Sequence, residues 1–208
     1  MTTPTLTRRL AMAMLSFTMS LAVAAPAAAS DASPDGLVRR ISTEVLDAVK
    51  ADPKIQGGDV SRIVALVDAK VMPHVNFERM TASAVGRHWR AATPQQRQRL
   101  QDEFKVPLLR TYSGALAQVK DQTVQLKPMR SAPGDTEVIV RTEVKGRGEP
   151  IQLDYRLEKA GDAWRIYDVN VLGIWLVEQY RASFGAEINA IGIDGLIGKL
   201  VERNKAGG

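Results

Sequence analysis

Apolar residues recur every three or four positions through the first part of the chain, which is the spacing of one helix face. Residues 33–50 form the first such segment. A second begins where Asp59 is placed to cap a helix, and it ends before Pro73. A shorter segment follows Asn76. These patterns predict three amphipathic helices, each with one buried face.

The stretch from Thr93 to Gln118 begins with Thr93-Pro94-Gln95-Gln96, which combines a capping box with proline at the first helical position. It therefore predicts a long helix. Pro107 lies inside this pattern and lacks the backbone N–H that an interior helical residue donates. We expect the helix to kink or to be divided near Pro107.

After Val119 the apolar residues alternate with polar ones, which is the pattern of strands with one buried face. Turn compositions separate these segments at residues 145–150 and 160–162, so neighbouring strands should pair antiparallel. The alternation predicts a meander of four strands, at residues 124–127, 137–144, 151–158 and 164–171.

Helical spacing returns after Gly173, and a last helix is predicted to start at Asp194. The order along the chain is therefore helices, four strands and helices again. This order predicts an α+β fold, in which N-terminal and C-terminal helices pack on one face of a four-stranded antiparallel sheet.

The first 29 residues have the pattern of a secretory signal. Arg8 and Arg9 precede an apolar stretch at residues 10–23, which is too short to span a bilayer comfortably. The small residues Ala27-Ala28-Ala29 form a cleavage site of the A-x-A type. An uncleaved anchor is the alternative, but it would need a longer apolar run. We expect residues 1–29 to be removed and residues 30–208 to form one exported domain.

The predicted signal holds two of the 28 basic residues and none of the 23 acidic ones, so residues 30–208 carry 26 against 23, a net charge of +3. The basic residues are scattered among acidic ones, which disfavours a nucleic-acid-binding protein. A mild positive field suits anionic lipid head groups. The chain has no cysteine, which excludes disulfides and thiolate chemistry.

No group of residues has the spacing of a catalytic or metal site. His74 and His88 are not placed as in H-x-x-x-H metal sites. Asp168 follows Tyr167 at the end of a strand, where a carboxylate could act as a general base, although capping or pairing with Arg181 is the simpler role. The sequence predicts no catalytic residue, no metal ligand and no enzyme activity.

Short patterns in a fixed order extend over nearly the whole predicted domain. The most specific are Leu66-Val67-Asp68, Met72-Pro73-His74-Val75, Ala84-Val85-Gly86-Arg87-His88-Trp89-Arg90-Ala91-Ala92-Thr93-Pro94-Gln95-Gln96-Arg97, Trp164-Arg165-Ile166-Tyr167-Asp168-Val169, Tyr180-Arg181-x-x-Phe184 and Gly192-Ile193-Asp194-Gly195-Leu196. In this order and spacing the chain resembles the MlaC family of periplasmic phospholipid-binding proteins, also called toluene-tolerance proteins.

The resemblance implies an apolar cavity enclosed by the sheet and the helices, which takes phospholipid acyl chains and leaves the head group near solvent. It implies a periplasmic carrier whose phospholipid is cargo and not a cofactor. The implied partners are an inner-membrane ABC transporter and an outer-membrane lipoprotein-porin complex, and the implied role is to maintain outer-membrane lipid asymmetry. We also expect a monomer. The alternatives are a periplasmic chaperone or adaptor, and an enzyme on a related cone-shaped α+β fold.

Inward positions of the predicted strands and helices are candidates for contact with the acyl chains. Periodicity identifies these candidates as Phe104, Leu108, Tyr112, Val138, Val140, Leu153, Tyr155, Trp164, Val171, Ile174, Val177 and Tyr180. The family commonly places a small residue after Gly173-Ile174, where this chain has Trp175. An inward Trp175 would make the cavity shorter or change its shape.

Overall fold

A computed structural model describes residues 33–132 and 134–206 of the chain. The predicted signal at residues 1–29 and its cleavage site lie outside the described residues. Within those residues, no helix combines the length and the apolar character that crossing a membrane requires.

The described residues form six α-helices and two short 3-10 turns. The helices are α1 (Pro34–Ala51), α2 (Pro53–Gln56), α3 (Val60–Lys70), α4 (Phe77–Val85), α5 (Pro94–Ala117) and α6 (Leu176–Ala206), and the 3-10 turns are Met72–His74 and Gly86–Ala91. Side chains cap five of the helices. Ser33, Asp52, Asp59, Asn76 and Thr93 each accept a hydrogen bond from a backbone N–H of the first turn.

Helix α5 confirms the predicted capping box, since Thr93 and Gln96 exchange side-chain to backbone hydrogen bonds of 3.0 and 3.2 Å. Of the two outcomes expected at Pro107, a division does not occur, because α5 continues through that residue. Proline at this position leaves the carbonyl oxygen of Glu103 without its helical donor. Asn204 of α6 supplies the missing donor, with its Nδ2 at 3.0 Å from that oxygen and at 2.7 Å from Glu103 Oε2. A contact between helices therefore keeps α5 in one piece.

Replacing Asn204 with alanine should lower the free energy of unfolding by about 1–2 kcal/mol, because the Glu103 carbonyl loses its only side-chain donor in this contact. The loss should be smaller in a Pro107→Ala background, where residue 107 regains the N–H that bonds to Glu103. Urea unfolding of the wild type, both single variants and the double variant measures this coupling. Equal losses in the two backgrounds would contradict the role of Asn204.

The sheet contains five antiparallel strands in sequence order, where four were predicted. They are β1 (Thr123–Leu126), β2 (Glu137–Lys145), β3 (Ile151–Ala160), β4 (Ala163–Val171) and β5 (Ile174–Trp175). The added strand pairs with β4 through Asn170 and Val171. Its two residues are too few for alternation to reveal them, and the turn before it needs left-handed backbone at Leu172 (φ 53°) and Gly173 (φ 89°).

A β-bulge in β4 decides which side chains share the inner face of the sheet. Arg156 of β3 pairs with Asp168, whereas the next residue, Leu157, pairs with Ile166. Tyr167 is therefore an extra residue in the ladder. Because of it, Trp164 and Ile166 before the bulge share a face with Val169 and Val171 after it. Strict alternation would have placed these two pairs on opposite faces.

Helix α6 changes direction at Gly192, whose backbone (φ 73°, ψ 176°) is not helical. The last helix predicted from Asp194 corresponds to the segment after this break. A positive φ is free of steric cost at glycine, so the residue type explains where the break falls.

The helices cover the inner face of the sheet, which carries Val140 and Leu157, whereas the outer face carries Arg156 and Glu158. Helix α1 packs on β1 and β2, and α4 and α6 pack on β4. A separate buried group of Val49, Ile55, Ile63 and Val119 joins the first three helices to the end of α5. The predicted α+β class, with helices packed against an antiparallel sheet, is confirmed.

Candidate functional site

Two adjoining groups of buried apolar side chains fill the space between the inner face of the sheet and the helices. The first, called the helical cluster, consists of Met80, Ala84, Val85, Leu100, Phe104, Leu108, Leu176, Val177, Phe184, Ile188, Leu196 and Leu200. The second, called the sheet cluster, consists of Leu37, Val38, Ile41, Val138, Val140, Leu157 and Ile166. Val75 and Val169 pack against both clusters, so together the clusters form one continuous apolar interior.

Ten of the twelve candidate lipid contacts lie in this interior or pack against it. Phe104, Leu108 and Val177 belong to the helical cluster, and Tyr112, Val171 and Tyr180 pack against it. Val138 and Val140 belong to the sheet cluster, and Tyr155 and Trp164 pack against it. The structure therefore brings together side chains that are up to 76 positions apart in the sequence, from Phe104 to Tyr180.

Four aromatic rings from three helices meet at the centre of the helical cluster. Phe104 of α5 is fully buried, and its ring centroid lies 4.7 Å from that of Tyr180 and 5.0 Å from that of Phe184, both in edge-to-face geometry. Phe77 of α4 stacks on the other side at 5.8 Å. Such pairs stabilise the packing by about 0.5–1.5 kcal/mol each beyond their buried area. Phe104 thus ties α4, α5 and α6 together.

The sheet side of the interior is apolar with one buried phenol. Val140, Tyr155 and Val169 form a row across β2, β3 and β4, because each pairs with the next in the antiparallel register. Burial raises the pKa of Tyr155 to about 12, although a hydrogen bond with Ser42 of α1 acts in the opposite direction. Tyr155 is therefore neutral throughout the physiological pH range, and it adds no charge to this apolar surface.

Two candidates lie away from the two clusters. Leu153 pairs with Thr142 and Val171 and is half-buried. Ile174 was predicted to face inward, and its pairing with Val171 places it on the inner face of the sheet, where the residue is 56% exposed. It lies on the edge strand β5, before α6 begins.

Trp175 lies on the outer face of the sheet, so it does not fill the interior. It pairs with Asn170, which is on the same face as Asp168, and the guanidinium carbon of Arg156 lies 3.9 Å from its ring centroid. This distance is typical of a cation–π contact. The bulky residue at this position therefore leaves the length of the interior unchanged.

Asp168 has a structural role on the outer face. Its Oδ1 accepts hydrogen bonds from the backbone N–H groups of Val177 (3.1 Å) and Val169 (2.9 Å), and its Oδ2 accepts one from Arg156 (3.0 Å). Capping of α6 is thus confirmed, but the pairing partner is Arg156 and not Arg181. Burial raises the pKa of Asp168, while these hydrogen bonds and the Arg156 charge lower it. Both carboxylate oxygens thus accept hydrogen bonds from within the fold, which is the simpler role expected for Asp168.

The candidate lipid contacts leave out many side chains of the interior, among them Phe77, Val169 and Phe184, although helical spacing places Phe77 and Phe184 on buried helix faces. Alternation counted from Trp164 gives both Val169 and Val171 the wrong face, and only Val171 is among the candidates. The sequence did contain a signal for the bulge. The apolar pairs Trp164/Ile166 and Val169/Val171 are separated by an odd number of positions, so they can share a face only if one extra residue lies between them.

Within the described residues, no group of three or more His, Asp or Glu side chains could hold a metal ion.

Comparison with known proteins gives a consistent result. The family model described as MlaC protein matches residues 39–202. The toluene tolerance protein ttg2D of Pseudomonas putida is 25% identical over 181 residues, which cover 84% of each chain. The intermembrane phospholipid transport system binding protein MlaC of Haemophilus influenzae is 21% identical over 191 residues, covering 90% of this chain and 89% of that protein.

A solved structure has the same fold. It is the phospholipid-binding protein from Ralstonia solanacearum in complex with a phospholipid, which is 45% identical to this chain. The match has a TM-score of 0.80 and covers 83% of this chain and 97% of that one.

Proposed function

Since this chain belongs to the MlaC family, we propose that it carries phospholipid through the periplasm, between an inner-membrane ABC transporter and an outer-membrane lipoprotein-porin complex. The observation that carries this proposal is the continuous apolar interior between the inner face of the sheet and the helices. In the proposed mode of binding, acyl chains separate the helical cluster from the sheet cluster along the seam at Val75 and Val169.

The relatives support both the cargo and its route. The protein from Ralstonia solanacearum, at 45% identity, was solved with a phospholipid bound. The relative from Haemophilus influenzae is named for an intermembrane phospholipid transport system. A protein that moves lipid between two membranes has to cross the aqueous compartment between them, which agrees with the secretory signal predicted at residues 1–29.

Physical chemistry explains why such transport needs a protein but no catalysis. Each acyl methylene exposed to water costs roughly 0.8 kcal/mol, so two chains with about thirty methylenes face a penalty on the order of 20 kcal/mol in free solution. An apolar interior replaces that water and removes most of the penalty. The carrier thus lowers a solvation barrier, and no covalent bond changes.

Purification from the periplasm without detergent, followed by native mass spectrometry and lipid extraction, tests the proposal. We expect a chain that begins at Ser30 and holds diacyl phospholipid, because the interior is apolar and the lipid has no favourable alternative in water. A folded protein without lipid would contradict the carrier function and favour a chaperone or adaptor. A chain that retains residues 1–29 would contradict the predicted cleavage alone.

A carboxylate inside the interior should abolish lipid retention. Val140 is fully buried in the sheet cluster, so Val140→Asp would place an unpaired charge against the acyl chains at a cost of several kcal/mol. The matched control is Ile139→Asp, because Ile139 pairs with Arg156 and so shares its outer face on the same strand. Lipid extraction of both purified variants should find phospholipid only in the control.

Should Val140→Asp fail to fold, a smaller change decides the same point. Val140→Thr keeps nearly the same volume but buries a hydroxyl, which costs about 1–3 kcal/mol. We expect this variant to retain less lipid than Ile139→Thr does. Equal lipid content in the two folded threonine variants would show that Val140 does not contact the lipid.

A further inference from the structure

A surface pocket of about 240 Å³ lies between the 3-10 turn Gly86–Ala91 and α6. Its lining consists of Val85, Gly86, Arg87, His88, Arg181, Gly185 and Asn189. Three of these residues come from one face of α6, since positions 181, 185 and 189 are four residues apart. The pocket lies at the outer edge of the helical cluster, to which Val85 belongs.

Two exposed cationic side chains line this pocket, and within the described residues neither has an acidic partner. Among residues 33–132 and 134–206, neither Arg87 nor Arg181 forms an ion pair, and no acidic residue lines the pocket. Arg87 donates instead from Nη2 to Asn189 Oδ1 at 3.1 Å and from Nε to His88 Nε2 at 3.4 Å. Two neighbouring guanidinium groups repel each other, so an anion between them would be favoured.

Gly86 allows this arrangement. Its φ of +66° is a conformation that side-chain-bearing residues rarely adopt, and a Cβ on it would lie 3.2 Å from Arg181 Nε. Without that Cβ, the Arg181 guanidinium rests against the backbone of the 3-10 turn. Gly185 has no side chain either, so the space between Arg181 and Asn189 along α6 stays open.

We propose that the Arg87–Arg181 pocket binds a phosphate group. The planar guanidinium of Arg181 can match phosphate oxygens with two parallel hydrogen bonds, and Arg87 and the amide nitrogen of Asn189 offer further donors. A volume of about 240 Å³ lies below the range of roughly 300–1,000 Å³ in which drug-sized ligands bind, so the pocket suits a small oxyanion and not an acyl chain.

The phosphate has two sources, a free anion or the head group of bound phospholipid. Val85 lines the pocket and is buried in the helical cluster, so the pocket lies beside the apolar interior. A phospholipid whose acyl chains enter the helical cluster would need its head group at such a position. The assignment to a head group rests on the proposed function. The assignment of the pocket to a phosphate group does not, because it depends only on the two arginines and the space between them.

Nuclear magnetic resonance titration of the ¹⁵N-labelled mature protein tests the pocket, with the Gly86 and Gly185 amides as reporters. One arm adds inorganic phosphate at constant ionic strength, and the other adds dihexanoyl phosphatidylglycerol below its micelle concentration. We expect the chemical shifts of these amides to change saturably with added ligand. The affinity should be about tenfold weaker in Arg181→Gln, because a charge-assisted contact is lost. Arg39→Gln removes the same charge from an exposed position on α1 and should leave binding unchanged.

The outcomes separate the pocket from its source of phosphate. Binding of the short-chain lipid, with or without free phosphate, supports the pocket with a head group as its ligand. Binding of inorganic phosphate alone supports the pocket with a free anion as its ligand, whatever the protein carries in its interior. No shift in either arm, or equal affinities in Arg181→Gln and Arg39→Gln, would overturn the proposal.

Discussion

Replacing Phe104 with alanine should lower the free energy of unfolding by about 3–5 kcal/mol, the largest loss expected for a single truncation in this protein. Phe104 is fully buried, and its ring contacts those of Phe77, Tyr180 and Phe184. Truncation removes these contacts and leaves a cavity among α4, α5 and α6. Since a ligand that binds only the folded state adds to its stability, urea unfolding has to compare proteins of equal lipid content.

Phe104→Leu is the matched control for that experiment. Leucine keeps most of the volume but none of the edge-to-face geometry, so the loss should be much smaller than for alanine. A loss below about 1 kcal/mol in Phe104→Ala would mean that the surrounding rings close the cavity, and that Phe104 does not hold the three helices together.

Replacing Asp168 with alanine should lower the free energy of unfolding by about 3 kcal/mol, because it leaves Arg156 and two backbone N–H groups without their acceptor. The loss falls at the low end of the range for buried pairs, since Arg156 also contacts Glu178 at 3.2 Å. Urea unfolding followed by circular dichroism measures it. Glu178→Gln is the control at an exposed position and should change the same quantity by less than about 1 kcal/mol.

The carboxyl of Asp168 also predicts a pH dependence. Burial raises its pKa in the folded protein above the ordinary value of 3.8, so the unfolded chain loses this proton first as the pH rises. The stability that the raised pKa contributes is therefore complete below pH 3.8 and is lost as the pH rises through the folded-state value. The stability difference between wild type and Asp168→Asn should decrease over that interval. An increase would show that the Arg156 charge outweighs burial.

Local signals in the sequence predicted most of the elements, because each depends on residues that are close together in the chain. The capping box at Thr93 and the caps at Asp59 and Asn76 each involve a side chain and a backbone N–H three residues later. Such contacts do not depend on the rest of the fold, so their pattern is sufficient to locate a helix start.

The features that the sequence did not predict depend on contacts between distant residues. The hydrogen bond that the Glu103 carbonyl accepts near Pro107 comes from Asn204, which lies 101 positions after Glu103. The outward position of Trp175 depends on its pairing with Asn170 and its contact with Arg156. Periodicity gives the face of an element that is suited to burial but not the element that covers it, so it does not reveal that Ile174 is exposed.

The bulge at Tyr167 has a consequence for how the chain can change in evolution. Loss of one residue there would restore strict alternation and turn Trp164 and Ile166 to the outer face, away from the sheet cluster. The turn at residues 146–150 has no such restriction. Both of its ends are exposed, and its length does not determine which side chains of the two strands point to the inner face of the sheet. Insertions and deletions are therefore tolerable in that hairpin, whereas selection has to preserve the length of β4.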